Sequence, residues 1–252
     1  MSESSLRGKK VVVLGASRGV GREIVRRARE DGAAQVWAVA RGREALEHLA
    51  NELPGTRTLV LDAATEDAPR QVFDALRPDV LIICGGATPA TSPVQDLSWK
   101  EFAANWESDV RMSFLFCREA LRAPLAAGSA VILISSGAGL GGSPISGGYA
   151  GSKRMQMFLA GYCQKESSRL NLGIRFTTLV PMRIMPETDL GRTAAEGYAR
   201  YLGIKPADFI EGMQDRQSAR DVADAVVRIA MDGTDMMGPV VSISAAGLAR
   251  VA

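Results

Sequence analysis

Histidine is nearly absent from this chain: His48 is the only one in 252 residues. It lies in a helical stretch beside Glu44 and Glu47, where a solvated side chain is expected, so a histidine-based triad or a zinc-hydrolase site has nothing to stand on. Cysteine is scarce, odd in number and widely spaced, at Cys84, Cys117 and Cys163. That spacing matches no metal site and points to reduced thiols in a cytoplasmic protein. Excess charge is missing as well. A formal net charge of +2 gives no electrostatic reason to expect a nucleic-acid or membrane partner. No apolar run approaches the roughly 18 residues of a membrane span. Residues 1–10 are polar, with no apolar core for a secretory signal. There is no low-complexity linker and no internal repeat, so one domain spanning residues 1–252 is expected, large enough to bury a sizeable core.

Strand-like and helix-like segments alternate along the whole chain, the pattern of an α/β doubly wound parallel sheet in three layers. Near the N-terminus the apolar run Val11-Val12-Val13-Leu14 leads into Gly15-Ala16-Ser17-Arg18-Gly19-Val20-Gly21 and an amphipathic stretch from Val20 to Glu30. A strand, a glycine-rich turn and a helix in that order make a dinucleotide site. The glycines let the backbone approach a pyrophosphate, and the helix N-terminus offers it free amides and a positive dipole end. A second apolar run, Ala130 to Ser135, is closed by Ser136, and thirteen residues later comes Tyr149-Ala150-Gly151-Ser152-Lys153. On a helix, Tyr149 and Lys153 stand one above the other on one face. An ammonium beside a phenol favours the phenolate and lowers its pKa, and such a tyrosine can exchange a proton with a carbonyl or alcohol oxygen. Ser136 can donate a hydrogen bond to the same oxygen.

The glycine loop followed by Ser136, Tyr149 and Lys153, in that order, resembles the short-chain dehydrogenase/reductase family from Lys10 to about Ser244. The resemblance implies a Rossmann fold and a hydride transfer between a nicotinamide cofactor and a carbonyl carbon, with Ser136, Tyr149 and Lys153 as the catalytic set. It implies that Gly15, Ser17, Gly19, Val20 and Gly21 hold the pyrophosphate, that Asp62 and Ala63 line the adenine pocket, and that Gly85 and Gly86 approach the cofactor ribose. It places Pro181, Met182 and Ile184 at the nicotinamide carboxamide, with Thr188 assisting. NAD enzymes carry an acidic residue after the second strand, Gln35 to Ala40; here Arg41 stands there, and Arg18 lies in the glycine loop. Two guanidinium groups at these positions suit a 2′-phosphate, so NADP(H) is the expected cofactor.

The chain departs from the family pattern in three places. Cys84-Gly85-Gly86-Ala87 replaces the usual Asn-Asn-Ala-Gly. Met182 stands where the family has glycine. Asp109 occupies the place of an asparagine that bends the long helix expected from Trp99 to Ala123, and a carboxylate there adds negative charge beside Lys153. Asn105, one turn earlier, does not match that position. From Thr193 to Gln214 two short amphipathic helices are expected, and residues 186–217 form a substrate lid by family analogy. The expected activity is an NADP(H)-dependent ketone reductase or alcohol dehydrogenase acting on a small molecule. The competing readings are a non-catalytic NADP(H)-binding sensor, motivated by Cys84, Asp109 and Met182, and a 3-oxoacyl-[carrier protein] reductase docking through Arg183 and Arg192. Apolar residues on more than one side of the two long helices suggest a symmetric homo-oligomer, a tetramer ahead of a dimer.

Overall fold

The structure, a computed structural model, describes residues 5–232 and 238–251. Four residues of the polar N-terminal stretch, 1–4, lie outside the described residues. Among the described residues a single eight-stranded sheet runs in the order β3-β2-β1-β4-β5-β6-β7-β8. Its strands are β1 Lys10–Leu14, β2 Gln35–Ala40, β3 Thr56–Val60, β4 Val80–Ile83, β5 Ala130–Ile134, β6 Arg175–Pro181, β7 Val240–Ser244 and β8 Gly247–Arg250. The first seven are parallel and β8 pairs antiparallel with β7. The helices are α1 Gly19–Glu30, α2 Arg43–Glu52, α3 Ala68–Ala75, α4 Trp99–Asn105, α5 Arg111–Arg122, α6 Ala138–Gly141, α7 Gly147–Arg169, α8 Asp189–Leu202, α9 Pro206–Glu211 and α10 Ala219–Asp232.

The strands read as continuous apolar runs because both sheet faces are covered. Side chains alternate: Val11 and Val13 of β1 pack into one core with Ile24 of α1, Leu46 of α2 and Val226 of α10. Val12 and Leu14 pack into the other with Phe73 of α3, Phe116 of α5 and Leu159 of α7. Strand order reverses between β1 and β4, and at that switch point a crevice opens beyond the carboxyl ends of the strands. No described helix is long and apolar enough to cross a membrane.

Four local features differ from the expected ones. The strand expected from Thr58 to Leu61 starts two residues earlier and ends one residue earlier, as β3. The strand β8 was not expected: Gly-Leu-Ala-Arg carries too little apolar pattern to announce itself. The first lid helix begins at Asp189, four residues before Thr193, because Thr188 caps it, its Oγ1 accepting from the Gly191 amide at 3.0 Å. The long helix after Ser98 opens on the expected capping box with Glu101 but is not continuous. A π-helical turn at Trp106–Val110 separates α4 from α5.

Candidate active site

A cavity of about 840 Å³ occupies the crevice at the carboxyl edge. Every catalytic and cofactor-binding residue expected from sequence lines it: Gly15, Ser17, Arg18, Gly19, Val20 and Gly21 from the first turn; Arg41, Asp62 and Ala63 after β2 and β3; Gly85, Gly86 and Asp109; Ser136, Tyr149 and Lys153; Pro181, Met182, Ile184 and Thr188.

The first turn has room for a dinucleotide only because it lacks side chains. Gly15 adopts φ +76, and a Cβ there would collide with the Gly85 backbone; a Cβ on Gly21 would collide with the Gly15 carbonyl. The turn and the end of β4 therefore touch backbone to backbone. No side chain caps the N-terminus of α1 and its first turn carries no acidic residue, leaving its amides and positive end to an anion. Arg18 and Arg41 are exposed at the rim. Arg18 pairs there with Asp189, the first residue of α8, at 3.3 Å, and Arg192 binds the other Asp189 oxygen. Asp62 turns its carboxylate to the Ala64 amide at 3.0 Å, capping the turn it begins. The Met182 amide donates to Ile243 O at 3.1 Å, so this backbone donor is already spent on the sheet.

At the other end of the cavity three elements meet. β5 delivers Ser135 and Ser136 at its tip. Ser135 Oγ donates to Lys153 O at 2.7 Å, tying α7 to the strand. Ser136 Oγ accepts from the Ala138 amide at 3.2 Å and faces the Tyr149 hydroxyl as its hydrogen-bond partner. On α7 the Lys153 ammonium sits 5.5 Å from the Tyr149 ring centre, as the spacing dictates. Lys153 Nζ also donates to Ile134 O at 3.2 Å and pairs with Asp109 Oδ2 at 3.1 Å.

Asp109 is held as firmly as it holds. Its Oδ1 accepts from the Ala87 amide at 3.0 Å and from Asn105 Nδ2 at 3.3 Å. Asn105 is itself buried and donates to Ala87 O at 2.8 Å. The Asp109 carbonyl accepts from Ser113 Oγ at 2.7 Å, which in turn accepts from Gln156 of α7. The sequence reading set Asn105 aside as one turn short of the family position and gave it no role. Its signal was the four-residue spacing to Asp109, which puts both on one face.

The charges follow the geometry. Burial pushes the Tyr149 phenol upward; Lys153 and the Ser136 hydrogen bond pull it back, Asp109 adds to the rise, and the net direction is up. The sequence had suggested the opposite, because it shows the lysine and not the desolvation. Burial works against the Lys153 ammonium, but Asp109 and then Tyr149 outweigh it and hold its pKa above the ordinary lysine value. Burial drives the Cys84 thiol up to about 12, so it stays neutral.

A family model described as short chain dehydrogenase matches residues 9–198. The chain belongs to the short-chain dehydrogenase family. Its relatives include D-erythrulose reductase of Gallus gallus, 28% identical over 203 residues and 75% of each chain. L-xylulose reductase of Bos taurus is 27% identical over 130 residues, 52% of this chain and 53% of the relative. The chain thus matches about half the length of the L-xylulose reductases. Among solved structures levodione reductase superposes with a TM-score of 0.81 at 22% identity, covering 95% of this chain and 96% of that one; at that identity the likeness shows the fold. Short-chain dehydrogenases are oxidoreductases that use a nicotinamide cofactor, and the open glycine turn and uncapped α1 fit that group.

Proposed function

We propose that this short-chain dehydrogenase interconverts apolar ketones and secondary alcohols with NADP(H). The observation that carries the reading is one cavity that joins the glycine turn to Ser136, Tyr149 and Lys153. When bound, the nicotinamide supplies a hydride to the carbonyl carbon, or takes one from the alcohol carbon. Ser136 donates a hydrogen bond to the substrate oxygen and polarises it. Tyr149 gives its phenolic proton to that oxygen in reduction and takes it back in oxidation. Lys153 fixes the tyrosine's surroundings and, of its three N–H groups, keeps one beyond those given to Asp109 and Ile134.

Arg18 and Arg41, with no carboxylate at the end of β2, support NADP(H) over NAD(H). Binding of a 2′-phosphate would draw Arg18 from Asp189, an exchange of one exposed partner for a doubly charged one. Titration of the protein with each cofactor tests this: NADPH should bind more tightly, and Arg41→Ala should weaken NADPH by roughly 1.5–3 kcal/mol while leaving NADH unmoved. Equal wild-type affinities would remove the assignment.

The substrate end of the cavity supports an apolar ketone. Tyr198 of α8 and Phe209 of α9 stack at 5.4 Å between ring centres and line it together with Ile145 and Leu190. The carrier-protein reading is disfavoured because its docking arginines are engaged: Arg183 pairs with Asp215 at 3.3 Å and Arg192 with Asp189. NADPH consumption measured across cyclic ketones, ketopentoses and carrier-linked 3-oxoacyl chains decides among these; binding without consumption on any of them favours a sensor. We further propose a cytoplasmic homotetramer, supported by the exposed aromatic groups Trp106, Phe114, Phe158 and Tyr162 on the outer helices.

A further inference from the structure

We propose that Asp109, aimed by Asn105 and the Ala87 amide, makes Lys153 one half of a buried ion pair, leaving Tyr149 in its acid form and the protein a reduction-direction catalyst from neutral into alkaline pH. The proposal rests on the reductase reading and adds the direction in which the site is poised.

Lys153 and Asp109 are 6% and 1% exposed, so the pair is shielded from water. A lone ammonium beside a phenol stabilises the phenolate. An ammonium whose charge is matched 3.1 Å away does so far less, because the tyrosine faces a dipole and not a net cation. The carboxylate cannot swing away without losing the Ala87 amide and Asn105. The other groups around the phenol do not restore the missing positive charge. Cys84, at the end of β4, is a neutral thiol. Ser136, at the end of β5, is uncharged. Arg183, after β6, is paired with Asp215. Arg18 and Asp189 meet at the solvated mouth, 62% and 50% exposed, where water screens them. Asp109 therefore acts through Lys153 as a positioning residue. In reduction the Tyr149 O–H bond breaks as the substrate O–H bond forms, and the phenolate regains its proton from water. Oxidation needs that phenolate beforehand, which burial and, added to it, the Asp109 charge withhold until alkaline pH.

The test is the pH profile of kcat in both directions for the wild type and Asp109→Asn, which keeps the shape and removes the charge. In the wild type reduction should stay level up to the ordinary phenol value of about 10, and oxidation should climb about tenfold per pH unit from neutral pH to that value. In Asp109→Asn both limbs should move down by about one pH unit or more, so that oxidation at pH 7 speeds up roughly tenfold for each pH unit the limb moves. Asn105→Ala, which loosens the carboxylate without discharging it, should move them the same way by less. Profiles that superimpose, or limbs that move up in Asp109→Asn, overturn the proposal. A second measurement needs neither turnover nor a stable Asp109 variant. The phenolate absorbance of the wild type, after subtracting that of Tyr149→Phe, should titrate above the ordinary phenol value of about 10. Titration below 10 also overturns it. Loss of all turnover with a high phenolate titration would instead remove the reductase reading and leave the ion pair standing.

Discussion

At the scale of single residues the proposed chemistry rests on Tyr149. Tyr149→Phe removes one oxygen and leaves the ring over Lys153. Turnover is expected to drop by the roughly 10²–10⁴-fold typical of a positioned acid–base group, with NADPH affinity nearly unchanged; steady-state rates and a binding titration read the two separately. Near-normal turnover would mean another group carries the proton. Most of this site was legible in the sequence, because its residues sit at strand ends or at fixed helical spacing and need no tertiary information to be noticed. Asn105 was not. An asparagine in a helix is ordinary, and only the fold shows it buried against Ala87 and the Asp109 carboxylate. The direction in which the Tyr149 pKa moves was also out of reach, since desolvation is a property of the folded surroundings.

Among elements, the first glycine turn and the end of β4 touch backbone to backbone. Gly15 and Gly32 both have positive φ, +76 and +81, but a Cβ on Gly32 meets nothing within 4 Å, whereas one on Gly15 collides with Gly85. Gly32→Ala should therefore show only the left-handed backbone cost, about 1–2 kcal/mol. Gly15→Ala should exceed it and also lose NADPH binding. Chemical denaturation of the two variants, with cofactor titration, checks the difference; equal costs would mean that β4 can withdraw. Strand and helix identities were readable because a parallel sheet covered on both faces leaves long apolar runs. The resemblance marked a bend at Asp109, but the π-helical form of the turn between α4 and α5 was not readable, because it uses the same residue types as an α-helix and differs only in hydrogen-bond spacing. Gly247–Arg250 was missed for a related reason: β8 owes its existence to pairing with β7, not to a pattern of its own.

For the whole molecule, the outer helices expose Trp106, Phe114, Phe158 and Tyr162. Light scattering at micromolar concentration is expected to give a multiple of the 26.8 kDa chain mass, four ahead of two; a monomer's mass would refute the assembly. Stability should also depend on pH at the alkaline end. The folded Lys153 pKa is raised, so its contribution is complete below the unfolded lysine value of about 10.4 and is lost as pH rises through the folded value. The Tyr149 pKa is raised as well. Above about pH 10 the unfolded chain gives up that proton first, which again favours unfolding. Denaturant midpoints should fall as pH rises above about 10, and less steeply in Tyr149→Phe, which lacks one of the two groups. The architecture and its order of elements were open to the sequence, while the assembly depends on which apolar faces the sheet leaves uncovered.

The π-helical turn at Trp106–Val110 is, in effect, a frameshift written into a helix. Each residue advances an α-helix by about 100°, so one residue too many per turn rotates everything beyond it out of phase with what came before. Removing a single residue between Trp106 and Val110 would let the chain close into one unbroken helix from Trp99 to Arg122. The carboxylate facing Lys153 would then rotate away from it, even with every side chain named at the site still present. The proposed active site is thus encoded in the counting of the chain as well as in its letters, and the arrangement could be gained or lost by one codon without any substitution.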